Sequence, residues 1–159
     1  MGKKFKTVAV AGTFDNLHKG HRELLLKALQ IGEHIIIGVS SDKFVSEMNK
    51  PHKTASYEKR VRELRQLLRH LTVLQRTEVV PIDDAYGGVL LSKGPIEALV
   101  VSKDTQRVAL MINQKRKEIG ITPLKIVIIK MISSEDHEAI STTRIRRREI
   151  DREGHVLRK

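Results

Sequence analysis

The chain has 159 residues, with 30 Lys+Arg against 19 Asp+Glu for a formal net charge of +11, 40% hydrophobic residues and no cysteine. That length suits one domain spanning 1–159 with a single buried core, and the hydrophobic share is too high for a disordered chain. The cysteine count excludes disulfides, thiolate metal sites and thiol nucleophiles, and no run approaches the roughly 18–20 apolar residues of a membrane span.

In chain order, the basic start is followed by an apolar stretch at 7–11 that is too short for a secretory signal, so a soluble, cytoplasmic domain is expected. Residues 5–11 read as a strand, followed by a glycine-containing loop and a helix over 20–31 with Leu24, Leu25, Ala28 and Leu29 on one face. Residues 34–39 are continuously apolar, as in buried parallel strands. After a polar stretch, 56–71 spaces Val61, Leu64, Leu67, Leu68 and Leu71 as an amphipathic helix with Ser56 as N-cap. Strands are predicted at 78–82, 98–101 and 124–131. A helix at 106–119 stops at Gly120 with Pro123 beyond, and a last helix is expected over 141–152. This alternation predicts an α/β, Rossmann-like, doubly wound five-stranded parallel sheet with helices on both faces. Ligands bind such sheets at the carboxyl ends of the strands, which points to the loops after the first and fourth strands.

The positive charge attracts phosphate on a nucleic acid, a membrane surface or a small anion. Aromatics at 3% leave few platforms for stacking single-stranded bases. The loop after the first strand reads Gly12-Thr13-Phe14-Asp15-Asn16-Leu17-His18-Lys19-Gly20-His21. It delivers two histidines to a helix N-terminus, where unpaired N–H groups favour phosphate. Gly20 would let the backbone approach an anion, and the imidazoles could donate to phosphate oxygens as charge develops. The plain alternative is two surface histidines flanking a turn. A zinc site on His18 and His21, with Asp15 near, has no cysteine or well-spaced third histidine, so no metal ligands are assigned. Neither GxxxxGK[ST] nor GxGxxG occurs in this loop. Near the other end, Ile140-Ser141-Thr142-Thr143-Arg144-Ile145-Arg146 sets three hydroxyls at a helix start with Arg146 about one turn on. A capped helix with a solvated basic face is the plain alternative there.

His-x-Gly-His and Ile-Ser-(Ser/Thr)-(Ser/Thr)-x-x-Arg, in this order, resemble the two signatures of the nucleotidyltransferase superfamily. The segments at 10–18, 80–88 and 99–105 narrow the likeness to phosphopantetheine adenylyltransferases, in pattern the archaeal form and the matching domain of eukaryotic CoA synthase. The resemblance implies transfer of the adenylyl group of ATP to 4′-phosphopantetheine by direct in-line attack, giving dephospho-CoA and pyrophosphate. It implies that Thr13 contacts the phosphates of both substrates, that His21 stabilises the transition state and that His18 assists on ATP. Gly12, Phe14 and Gly20 would border the nucleotide, and Ser141, Thr142, Thr143 and Arg146 would hold the β- and γ-phosphates. Lys50 matches a lysine that bridges the acceptor and donor phosphates, with Lys53 equally available. Tyr86 would border the acceptor or form part of a simple turn. Mg²⁺ is expected with ATP, held mostly by phosphate oxygens and water. Lys103 departs from the acidic pattern of the nearer relatives, which leaves the residues that read adenine open. The shared signatures also admit FMN, nicotinamide mononucleotide or a phospho-alcohol as acceptor. A basic nucleic-acid-binding module is the reading from another class, set against acidic residues 149, 151 and 153 that interrupt the basic run. Neither a nucleic-acid nor a membrane partner is expected, and the oligomeric state is not legible.

Overall fold

The computed structural model describes residues 3–48, 53–85, 88 and 94–130; the helix expected over 141–152 lies outside them. Five strands form one parallel sheet: β1 (Phe5–Gly12), β2 (Gly32–Ser40), β3 (Thr77–Ile82), β4 (Ala98–Ser102) and β5 (Lys125–Ile129), in the order β3-β2-β1-β4-β5. The helices are α1 (Lys19–Ile31), α2 (Asp42–Glu47), α3 (Tyr57–His70) and α4 (Gln106–Glu118), with short 3₁₀ turns at Leu74–Arg76 and Lys103–Thr105. The expected fold class is what the sheet order shows.

Alternation along the strands makes two cores. Val8, Val10, Ile35, Ile37 and Val39 face α1 and α3, where Leu25, Ala28, Leu29, Val61, Leu64 and Leu68 meet them. Ala9, Ile36, Leu99 and Val101 face the other way, against Ala109 and Ile112 of α4. Because the sheet is covered on both faces, its central strands read as continuous apolar runs. Within α3, Val61, Leu64 and Leu68 are buried as the spacing predicts, whereas Leu67 is only partly covered and Leu71 forms the C-cap. Ser56 caps α3 by accepting from the Lys59 N–H at 3.2 Å. The stop of α4 is Gly120, at φ +82°, a left-handed conformation that a Cβ would strain.

The polar stretch after β2 holds a helix that periodicity does not reveal. α2 is six residues long, short of two full turns, and Ser41 begins it by accepting from the Phe44 N–H at 3.1 Å. Its position follows from the sheet, since the Ser41 N–H donates to the Ile82 carbonyl at the end of β3 at 2.8 Å.

The sheet reverses its order between β1 and β4. β1 runs in register with β2 from Phe5 to Gly12, but with β4 only at Val8 and Ala9. Beyond these rungs the two strands open a crevice at their carboxyl ends, where doubly wound folds bind ligands. Leu64 is fully buried and Leu110 of α4 is 57% exposed. Leu64→Ala should therefore cost about 2–5 kcal/mol, whereas Leu110→Ala should stay within about 0.5 kcal/mol. Urea unfolding with an unchanged m-value measures both.

Candidate active site

The chain leaves β1 at Gly12 and enters α1 at Lys19. Between them, Phe14 and Asn16 take left-handed backbone conformations (φ 54° and 47°). Such conformations cost roughly 1–3 kcal/mol each in non-glycine residues and persist where the surroundings over-determine them. Three anchors do so here. The Phe14 ring is completely buried in the core beneath α1. Buried Asp15 accepts from the Ala55 N–H at 3.3 Å, and the Ser40 hydroxyl donates to the Gly12 carbonyl at 3.4 Å.

The first turn of α1 has N–H groups without helical partners. His18, the N-cap, takes two of them: its Nδ1 accepts from the Gly20 N–H at 3.0 Å and from the His21 N–H at 3.3 Å. His21 returns the bond, its Nδ1 accepting from the His18 N–H at 3.2 Å. This is a capping box built from two imidazoles in place of the usual Ser/Thr and Glu pair. The rings stack with centroids 3.8 Å apart and 18° between planes, and the Phe14 ring lies 5.3 Å from that of His21.

The box sets protonation. A ring nitrogen that accepts from backbone N–H groups cannot carry a proton, so each neutral ring carries its proton on Nε2. Burial, with Arg22 nearby as a second cause, pulls the His18 pKa down to about 4. At neutral pH His18 is thus an uncharged donor through Nε2. At Gly20 the cap itself favours glycine: a Cβ there would lie 2.9 Å from Cε1 and 3.0 Å from Nδ1 of His18. Glycine is required because the capping ring lies over it.

Two cavities open from the crevice. One, of about 210 Å³, is lined by His18, Gly20, His21, Leu24, Ser102 and Ile129 among others. The second, of about 250 Å³, is mostly apolar, with Thr13, Ser40, Phe44, Met48, Ile82 and Val101 in its wall. Ala11, Gly12 and Thr105 line both, so the two chambers meet at the ends of β1 and β4. Gly12, Thr13, His18, Gly20 and His21 thus all line the two joined chambers. The Phe14 ring packs in the core and against His21. Lys50, Tyr86, Ser141, Thr142, Thr143 and Arg146 lie outside the described residues. Among the described residues no group of three His, Asp or Glu side chains could hold a metal ion. No described helix is long and apolar enough to cross a membrane.

Of the segment at 99–105 the structure brings one residue to both chambers, and one contributor, Arg60, escapes sequence reading. Thr105 lines both chambers and closes a small box with Ser102, whose N–H donates to its hydroxyl at 3.2 Å. Arg60 is fully buried, and the available signal was its place one turn before Leu64 in the apolar stripe of α3.

The family model for cytidylyltransferase-like proteins matches residues 9–148. A protein of Methanopyrus kandleri named phosphopantetheine adenylyltransferase is 41% identical over 143 residues, covering 90% of this chain and 90% of its own length. One of the same name from Methanothermobacter thermautotrophicus is 40% identical over all of this chain and 94% of its own length. The crystal structure of a protein of unknown function from Archaeoglobus fulgidus superposes with a TM-score of 0.68 at 34% identity, over 77% of this chain and 88% of that one.

The cap and the donor can be separated by mutation. His18→Asn keeps a side-chain acceptor at the N-cap and removes the Nε2 donor, so it should retain stability, while His18→Ala should lose about 0.5–2 kcal/mol. Because the folded pKa of about 4 lies below the ordinary 6.5, the unfolded chain binds the extra proton between these values. The stability contributed is complete above about pH 6.5 and disappears as pH falls toward 4, at about 1.4 kcal/mol per unit of separation. The difference between the stability–pH curves of the native protein and His18→Asn isolates it. NMR of the ring should show no titration near neutral pH.

Proposed function

The chain belongs to the cytidylyltransferase-like nucleotidyltransferases, and within them to the phosphopantetheine adenylyltransferase family, and on that premise we propose that it transfers the adenylyl group of ATP to 4′-phosphopantetheine. The observation that carries this reading is the histidine cap at the N-terminus of α1, opening at the sheet's switch point onto two joined chambers. One chamber would offer the two imidazoles and the Ser102 and Thr105 side chains to a triphosphate, and the other would offer apolar walls to an extended pantetheine arm.

In the proposed reaction a phosphate oxygen of 4′-phosphopantetheine attacks the α-phosphorus of ATP. The new P–O bond forms as the bond to the α–β bridging oxygen breaks, and pyrophosphate leaves with the electron pair. Dephospho-CoA results, which makes the step part of coenzyme A biosynthesis. No protein nucleophile is needed, so the contribution of the chain is positioning and charge stabilisation. His21 donates from Nε2 to the oxygens on which charge grows, and His18 donates beside it to ATP. Their stacking at 3.8 Å supports a shared target for the two donors. Neutral His18 supplies a hydrogen bond without requiring a proton from solvent. Thr13, at the wall of the apolar chamber, would contact the phosphates where the two substrates meet.

The remaining roles follow the resemblance. Lys50 would bridge the two phosphates, Tyr86 would border the acceptor, and Ser141, Thr142, Thr143 and Arg146 would hold the distal phosphates of ATP. Mg²⁺ would arrive with ATP, held by phosphate oxygens and water, and when bound would offset the triphosphate charge. We read 1–159 as one domain acting in the cytoplasm.

Incubation with ATP, Mg²⁺ and 4′-phosphopantetheine should yield dephospho-CoA and pyrophosphate in equal amounts by mass spectrometry. A product formed only with FMN or nicotinamide mononucleotide would instead reassign the acceptor. His21→Ala should lower kcat by about 10²–10³-fold with a smaller change in the ATP Kd, as expected for one lost transition-state donor.

A further inference from the structure

Arg60 is the largest fully buried side chain among the described residues, and it sits behind the loop that carries Thr13. A buried guanidinium is costly unless its donors are satisfied. Here Nε donates to the Ala55 carbonyl at 2.8 Å. One terminal nitrogen donates to the carbonyls of Thr13 at 2.8 Å and Ser40 at 2.7 Å, and the other reaches Asp42 Oδ1 at 3.2 Å. The same carboxylate oxygen accepts from the Tyr57 N–H at 2.7 Å.

These partners have a pattern. The pairing of β1 with β2 ends at Gly12 opposite Val39, and the next residues in each strand direction are Thr13 and Ser40. Arg60 bridges their carbonyls, taking the place of a further rung where the two chains separate. Through Ala55 it also reaches the segment entering α3, whose N–H is held by Asp15 of the same loop. Three chain segments and the start of α2 therefore converge on one planar, five-donor group. An ammonium could not span acceptors spread around that plane. The loop so held contains the left-handed Phe14 and Asn16, a conformation that needs external restraint.

We propose that Arg60 is a positioning residue for the transfer reaction, whose guanidinium fixes the Thr13 loop against the end of β2 and the entry of α3 and so keeps Thr13 aligned with the histidine cap across the two chambers. It touches neither substrate and acts through the Thr13 backbone. This inference rests on the adenylyl-transfer reading above.

The test compares the native protein with Arg60→Lys and Arg60→Ala, following kcat, KM for both substrates, ATP Kd by calorimetry, thermal unfolding and amide exchange at residues 13–16. In Arg60→Ala, kcat should fall by about 10–100-fold with the ATP Kd within about threefold, since a misplacement near 1 Å can cost about 10² in rate. Amides at 13–16 should exchange faster, and guanidinium at non-denaturing, millimolar concentration should restore part of kcat. Should Arg60→Ala fail to fold, Arg60→Lys decides: lower kcat with retained ATP binding and faster exchange supports the role. A kcat within twofold of native in either folded variant overturns it. A loss that guanidinium does not restore, with exchange at 13–16 unchanged, also overturns it. If the native protein itself makes no dephospho-CoA, the functional reading fails instead, and the restraint on the loop is judged on exchange at 13–16 alone.

Discussion

The N-terminus of α1 must satisfy N–H groups that have no helical partner, and it does so with two imidazoles bonded reciprocally to each other's backbone. Much of the site's character follows from that one arrangement. Accepting at Nδ1 sends both protons to Nε2, and burial keeps His18 neutral. The capping ring occupies the space above Gly20, which excludes any side chain at that position. The rings stack, and Phe14 supports the second of them from the core. The groups that begin the helix are thus also the groups that line the chamber between α1 and the end of β4.

The sheet supplies the second requirement, which is room. β1 departs from β4 after two rungs while remaining paired with β2 along its length, so the crevice opens on one side of β1 only. Two chambers form from this asymmetry, one toward α1 and the other toward α4 and α2. A loop placed at such a gap has few strand neighbours to hold it. Its restraint comes from elsewhere: a buried aromatic ring, a buried carboxylate on the Ala55 N–H, and a buried arginine on the Thr13 carbonyl. The last two link the loop to residues 40 and 47 positions along the chain, and together the three hold the bulky Phe14 in a left-handed conformation that it does not favour, beside Asn16, a residue type that tolerates one.

The elements were legible because burial imposes a local rhythm. Continuous apolar runs marked β1, β2 and β4, and the three-to-four spacing of Val61, Leu64 and Leu68 marked α3, each within a residue or two of the observed bounds. α2 escaped because six residues hold too little of any period, and its place is decided by a hydrogen bond to β3 some forty residues away. The histidine motif was legible as a family signature, but not as a helix cap, since histidine is an uncommon capping residue and spacing says nothing of ring orientation. Arg60 was hidden for a related reason. Charged residues in a helix are ordinarily solvated, and only the meeting of Thr13, Ser40 and Ala55 carbonyls in one place allows this one to be buried.

By itself, then, the sequence determined the alternation of strands and helices, the fold class and the family signature after β1. These depend on residue type and near-neighbour spacing, which are written along the chain. Only the tertiary structure decided the strand order, the joined chambers, the neutral state of His18, the reason for Gly20 and the burial of Arg60. Strand order, chamber shape and desolvation depend on distances between segments tens of residues apart. Arg60 and Thr13 are 47 positions apart in sequence and 2.8 Å apart in the fold.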